Sequence, residues 1–280
     1  MPRSTRISVR NARFQQWQAL LGSRQKRQRT GEFLVHGVRP VTVAVQRGWP
    51  IRALIYDDGR TLSQWATGTL RDTAGQAEHV AMASELIAEL GEKTDEPPEL
   101  LAVAAIPPDD YARIATAADF LCLAFDRPSS PGNIGTLVRS ADAFGVAGVV
   151  VTGHAADPYD PKSVRASTGS LFAVPVVRDA SPQGVLTWVA SLRRGGLPIA
   201  VVGTDEHGTA GIADHDLTRP TLLVVGNETT GLSTAWREAC DVVVRIPIAG
   251  SASSLNAANA GAIALYEAAR QRGFAARQPR

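Results

Sequence analysis

The sequence predicts an α/β protein in two parts, a small α/β domain followed by a larger one built on a parallel sheet. Three observations carry this. The chain has 280 residues, too many for one small core and suited to about two domains. Strand-like and helix-like segments alternate along nearly its whole length, the pattern of α/β folds. In the second half the strand-like segments are continuously apolar rather than alternating, as strands covered on both faces are.

The elements follow in order. Residues 11–22, NARFQQWQALLG, have the spacing of a short amphipathic helix. EFLVH at 32–36 reads as a strand and residues 38–47 as a helix. Strands at 51–56, 78–82 and 101–106 alternate with helices at 62–70 and 84–90. Pro97-Pro98 and Pro107-Pro108 interrupt the series, and the second pair opens a linker over residues 109–119. The second alternation has strands at 120–125, 148–152, 173–177, 197–203, 221–226 and 242–246. Helices are expected at 133–144 and 183–194, and a last one over SSLNAANAGAIALYEAAR, residues 253–270. Ser253, Ser254, Asn256 and Asn259 are poor helix-interior residues, because their side chains compete for the backbone.

Composition limits the function. No apolar run reaches the roughly 20 residues of a membrane span, and MPRSTRISVR lacks the apolar core of a secretory signal. Cys122 and Cys240, in apolar surroundings and without metal-site spacing, read as reduced thiols of a cytoplasmic protein with no metal. The net charge of +2 conceals an asymmetry. Eight of the 29 cations and none of the 27 acids fall in residues 1–30, which leaves 21 cations against 27 acids in the body. A basic N-terminal arm carrying Arg24, Lys26, Arg27 and Arg29 on an acidic body suggests a polyanionic partner, RNA or DNA.

Four strand ends carry polar or glycine-rich sequence, where open parallel sheets bind ligands. After residue 125 comes DRPSSPGNIGTLVR, in which Asn133 is expected to cap a helix and Arg139 to lie six residues on, within about 120° of it around the helix axis. The others are GTDEHG at 203–208, GNETTGLS at 226–233 and IPIAGSASSLN at 246–256. None is a Walker loop or a GxGxxG fingerprint, which disfavours phosphate-bearing nucleotides.

Together NIGTLVRSADAFG, LLVVGNETTGLS and IPIAGSASSLNAANAGAIALYE resemble, in this order, the three motifs of the SpoU (TrmH) family of RNA ribose 2′-O-methyltransferases. DPKSVRASTGSLF resembles the family too. EFLVHGVRPVTVAVQRGWPIRALIYDDG is similar to the ribosomal-protein-L30e-like substrate-binding domain that often precedes the catalytic one. The near-whole chain most resembles the branch of the family that methylates large-subunit rRNA in antibiotic producers. The resemblance implies an L30e-like domain at 31–108 and a methyltransferase domain at 120–280. It further implies a C-terminal trefoil knot, a homodimer through the knotted domain and S-adenosylmethionine (AdoMet) as methyl donor. The expected acceptor is a uridine 2′-OH in 23S rRNA, with antibiotic resistance as a biological role. It assigns Arg139, Asn133, Glu228, Ser254 and Asn256 to catalysis, and Thr204, Gly226, Asn227, Gly231, Ile246 and Leu255 to the cofactor. Arg165 becomes a candidate for an RNA phosphate or a structural ion pair. A guanidinium has five donors and no acceptor, so Arg139 suits a phosphate or a developing alkoxide better than a proton. Glu228 would fix Arg139 or relay the proton. A tRNA methyltransferase and a non-catalytic, RNA-binding ribosome assembly factor are the competing readings. The second is disfavoured because all five polar catalytic positions are filled.

Overall fold

The computed structural model describes residues 5–92 and 96–274. The chain forms two compact units, Met1–Pro107 with Asp157–Ala173, and Pro108–Ala156 with Val174–Arg280. Residues 1–4 of the expected arm and 275–280 of the expected catalytic domain lie outside the described residues.

The first unit contains β1 (Thr5–Ile7), α1 (Ala12–Gly22), α2 (Arg24–Thr30), β2 (Glu32–His36), α3 (Val38–Gln46), β3 (Ile51–Asp57), α4 (Gln64–Asp72), β4 (Glu78–Met82), α5 (Ser84–Gly91) and β5 (Leu100–Ala105). Its five-stranded sheet has the order β1-β4-β3-β5-β2. β1, β4 and β3 run parallel, while β5 is antiparallel to β3 and to β2. Asn11 accepts a hydrogen bond from the Phe14 backbone N–H at 3.0 Å and starts α1. Phe14, Trp17 and Leu20, three residues apart, form the buried stripe of that helix against Ile7, Ile55, Val80 and Leu86.

The second unit contains β6 (Leu121–Asp126), α6 (Pro131–Ala143) and β7 (Val149–Thr152). α7 (Pro161–Ser167) falls in the stretch that belongs to the first unit. β8 (Val176–Asp179), α8 (Pro182–Arg194), β9 (Ala200–Thr204), β10 (Ala210–Gly211), β11 (Thr221–Val225), α9 (Thr234–Ala239), β12 (Val242–Arg245) and α10 (Ala257–Gln271) follow. The sheet order is β10-β12-β9-β11-β6-β7-β8, and every pair is parallel, as the apolar strands predict. Alternation along the strands sends Cys122, Ala124, Leu222 and Val224 into the core with Val185 and Val189 of α8 and Trp236 of α9. On the other face, Gly261 of α10 lies against Leu137 of α6 and Val225 of β11. A Cβ there would stand 2.6 Å from a Leu137 methyl, so glycine permits the approach.

Several expectations are corrected. From Thr5 onward residues 1–30 are not an arm: β1 pairs with β4, and α1 and α2 are packed helices. The physical reason is a pair of side-chain caps, Asn11 and Ser23, with a three-residue apolar stripe between cationic positions. Residues 109–119 are no free linker, because Tyr111 stacks on Trp188 with ring centroids 4.7 Å apart and Ile114 is buried. α6 begins at Pro131, not Asn133. Ser130 is its N-cap and accepts from the Asn133 N–H, and Pro131 presets the first helical φ. α10 begins at Ala257, so Ser253 and Ser254 lie in the preceding loop. Asn256 is the cap, its Oδ1 accepting from the Ala258 and Asn259 N–H groups.

Candidate active site

Register brings the site together. Val225 ends β11 opposite Phe125 of β6 and Thr204 of β9, and Thr204 lies opposite Val244 of β12. The carboxyl ends of four adjacent strands therefore stop at one level. The loops after β9, β11 and β12 surround a cleft of about 320 Å³. Every residue assigned to the cofactor lines it: Thr204, Gly226, Asn227, Gly231, Ile246 and Leu255.

The loop after β11 is tightly built. Asn227 and Gly231 exchange backbone hydrogen bonds of 3.0 and 3.1 Å. The Asn227 Oδ1 accepts from the Thr229 and Thr230 N–H groups. Gly231 has φ +64°, and a Cβ on Gly226 would stand 2.4 Å from the Gly231 carbonyl carbon. Both glycines are required by geometry. The Thr204 hydroxyl donates to the Val224 carbonyl at 3.1 Å, and the residue lines the cleft.

Glu228 lies at the N-terminus of α6. Its carboxylate accepts from the Ser129 N–H and hydroxyl at 3.0 Å each, the Ser130 N–H at 3.3 Å and Asn133 Nδ2 at 2.9 Å. Asn256 Nδ2 in turn donates to Asn133 Oδ1 at 3.3 Å. Three residues far apart in sequence thus form one chain of hydrogen bonds. Burial pushes the Glu228 carboxyl up, but the donors of Ser129 and Asn133 outweigh it and hold the group below the usual carboxylate range. An ionised group engaged by this many donors suits anchoring better than proton relay.

Of the other catalytic assignments, Ser254 lines the cleft from the loop before α10. Arg139 lies on the exposed side of α6 and is not among the cleft-lining residues, and Glu228 is held by Asn133 and the α6 N-terminus. Arg165 pairs with Glu92 at 2.7 Å, the structural alternative allowed for it. Arg24 and Arg29 are exposed and Lys26 half-buried. Arg27 corrects the RNA assignment: it is 1% exposed, and its guanidinium binds Asp157 at 2.7 Å, Asp160 at 3.3 Å and the Leu20 carbonyl at 2.7 Å. It is a core residue.

Sequence reasoning missed Asp205, Glu206, Ile248 and Ser253, which also line the cleft. The strand-end GTDEHG was a signal for the first two. Burial pushes the Asp205 carboxyl up, but the His207 N–H and Arg237 outweigh it and keep the group below its usual range. Asp205, Glu206 and Glu228 are the only charged side chains among the lining residues, and all are acidic.

Comparison with known proteins places this geometry. Residues 11–102 match the SpoU L30e-like domain and residues 121–266 match the SpoU rRNA Methylase family. The chain belongs to the SpoU rRNA methylase family. This SpoU methylase is 60% identical over 271 residues to the 23S rRNA (uridine(2479)-2′-O)-methyltransferase of Streptomyces viridochromogenes, covering 97% of this chain and 94% of that one. It is 31% identical to the 23S rRNA (guanosine(2553)-2′-O)-methyltransferase RlmP of Bacillus subtilis, covering 92% and 96%. The crystal structure of the SpoU methyltransferase AviRb from S. viridochromogenes in complex with the cofactor AdoMet superposes with a TM-score of 0.90 at 60% identity. It covers 96% of this chain and 100% of that one. Among the described residues no helix is long and apolar enough to cross a membrane, and no group of three or more His, Cys, Asp or Glu could hold a metal.

Proposed function

We propose that this SpoU methylase transfers a methyl group from AdoMet to the ribose 2′-OH of a uridine in 23S rRNA. The observation that carries the reading is the 60% identity, over nearly the whole chain, to a 23S rRNA uridine 2′-O-methyltransferase, joined to a cleft that fits the donor. The fit rests on the lining. Val225, Ile246, Ile248 and Leu255 offer apolar walls for a purine, and the carboxylates match the positive charge of a sulfonium. When bound, AdoMet supplies an electrophilic methyl on that sulfonium.

The chain's own residues bind and orient the two substrates. Backbone at Thr204, Gly226, Asn227, Gly231, Ile246 and Leu255 holds the donor. Glu228 fixes Asn133, and Asn133 and Asn256 orient the acceptor ribose with Ser254. Arg139 holds the RNA phosphate and stabilises negative charge developing on the 2′ oxygen. The L30e-like domain and the cations Arg24, Lys26 and Arg29 bind RNA backbone. A trefoil knot is supported by the β12-β9-β11-β6 strand order and by the return of α10 to pack on α6. A homodimer is supported by Ile263, Tyr266 and Phe274, apolar and exposed on and just after α10. The protein works in the cytoplasm, and methylation at a ribosomal drug site would confer resistance.

The test is ribose-methylation mapping of RNA from cells with and without the gene, beside tritiated-methyl transfer to 23S rRNA and tRNA. One uridine in 23S rRNA that loses its 2′-O-methyl supports the reading. Methylation confined to tRNA, or no transfer to either RNA, overturns it.

A further inference from the structure

The dipeptide at the end of β6 is outside every assignment made so far. Asp126 is completely buried, and Arg127 is one of four non-glycine residues with positive φ among the described residues, at +50°. A side chain held in the left-handed region is strained, and such strain persists where the surroundings over-determine it. Here they do. The Arg127 N–H donates to the Thr152 carbonyl at 2.9 Å, and its side chain crosses Gly153 so closely that a Cβ there would be 2.7 Å from Arg127 Cγ.

What this geometry holds is the loop after β11, at both of its legs. On the first leg, Asn227 Nδ2 donates to the Arg127 carbonyl at 2.7 Å. On the second, Arg127 Nη2 donates to the Gly231 carbonyl at 3.1 Å, and the Ser233 N–H donates to Asp126 Oδ2 at 2.8 Å. The same Asp126 Oδ2 accepts from Arg127 Nε at 3.1 Å, so the guanidinium bridges the buried carboxylate and the loop. Thr152 Oγ1 holds the other carboxylate oxygen at 3.3 Å. Asn227 and Gly231 line the cleft, while Asp126 and Arg127 do not.

We propose that Arg127 is a positioning residue for the cofactor: with Asp126 beneath it, it fixes the spacing of the two legs of the 226–231 loop, and so the backbone groups that the loop presents to AdoMet. This rests on the reading of the cleft as the AdoMet site. A guanidinium is needed because its fork reaches two acceptors at once, which an ammonium point charge does not reproduce.

The experiment measures AdoMet dissociation constants by calorimetry, and ligand-free thermal unfolding, for wild type, Arg127→Gly, Arg127→Lys and Ala260→Phe. Arg127→Gly removes the fork and also relieves the φ of +50°. It also takes the cation from the buried Asp126, so the ligand-free melting temperature should fall, and the AdoMet Kd, measured at a temperature where the variant is folded, should rise about tenfold or more, the fold-change of one lost charge-assisted hydrogen bond. Arg127→Lys should give a smaller rise. In both, KM for AdoMet should rise while kcat at saturating AdoMet stays within about threefold, because the reacting groups are untouched. An unchanged Kd in Arg127→Gly overturns the proposal, whatever the melting temperature does. If that variant does not fold, an unchanged Kd in Arg127→Lys does so. Ala260→Phe fills the cleft from α10 and should abolish AdoMet binding. Retained binding there overturns the cleft reading itself, separately from the role of Arg127.

Discussion

Replacing Arg27 by methionine keeps most of the side-chain volume and removes the guanidinium. In the native first unit that group is 1% exposed and satisfies Asp157, Asp160 and the carbonyls of Leu20 and Leu21 at the end of α1. Asp157 is itself 4% exposed, so the substitution leaves a buried carboxylate without its cation. Breaking a buried pair from one side costs about 3–5 kcal/mol, because the remaining charge stays desolvated. For a chain of this size that corresponds to a fall of roughly 6–20 °C in melting temperature. Thermal denaturation followed by circular dichroism is the assay. A second variant, Arg27→Met with Asp157→Asn, removes the stranded charge and keeps an acceptor for the Tyr159 N–H, now 3.0 Å from Asp157 Oδ1. It should be more stable than the single variant. The reasoning is refuted if Arg27→Met melts within about 2 °C of wild type, or if the double variant is the less stable. A wild-type melting temperature with a weakened salt dependence of RNA binding would return Arg27 to the RNA surface.

Arg139→Ala should lose more than about a hundredfold in methyl transfer, the scale of one transition-state charge contact, while AdoMet affinity by calorimetry changes less than about twofold. Near-wild-type transfer would remove Arg139 from the mechanism. Replacing Arg24, Lys26 and Arg29 together by alanine should weaken rRNA binding and flatten the plot of log affinity against log salt, by about 0.7 to 0.9 per lost phosphate contact. An unchanged slope means that these cations do not touch RNA. Glu228 gives a pH test with a definite sign. Its folded-state value lies below the usual range, so its stabilisation is complete above the unfolded value and lost as pH falls through the folded one. Between about pH 5 and about pH 3 the wild type should therefore lose more melting temperature than Glu228→Gln, and parallel curves would refute the anchoring role.

The parallel sheet was legible because each central strand is buried on both faces and reads as an unbroken apolar run. Phe120 to Phe125 and Leu222 to Val225 are such runs. β1 was not legible, since three residues carry no period, and its place is set by pairing with β4 more than seventy residues away. α2, RQKRQRT, looks like a solvated basic tail. Only tertiary structure shows that one of its four cations is inside, because the partners Asp157 and Asp160 lie 130 and 133 residues further on. Charge counting treats all four cations alike, whereas desolvation separates Arg27 from the rest.

The site was legible as a set of loops and illegible as a set of contacts. Strand-end positions identify which loops face the ligand side of a parallel sheet, and all six cofactor assignments line the cleft for that reason. Which loops touch depends on strand order, and β12-β9-β11-β6 is not the order of the chain. This is why the link from Glu228 through Asn133 to Asn256 could not be read from spacing, although all three residues were singled out. It also changes the meaning of the small polar residues before α10. They do not weaken a core helix: Asn256 ends the loop by capping two N–H groups with its oxygen, and its nitrogen remains to reach Asn133. An amide can do both at once, with separate donor and acceptor ends. A serine or aspartate at 256 could cap the helix equally well. Aspartate has no hydrogen to donate, and serine has a shorter reach. Asparagine at 256 therefore serves the helix cap and the contact with Asn133 together.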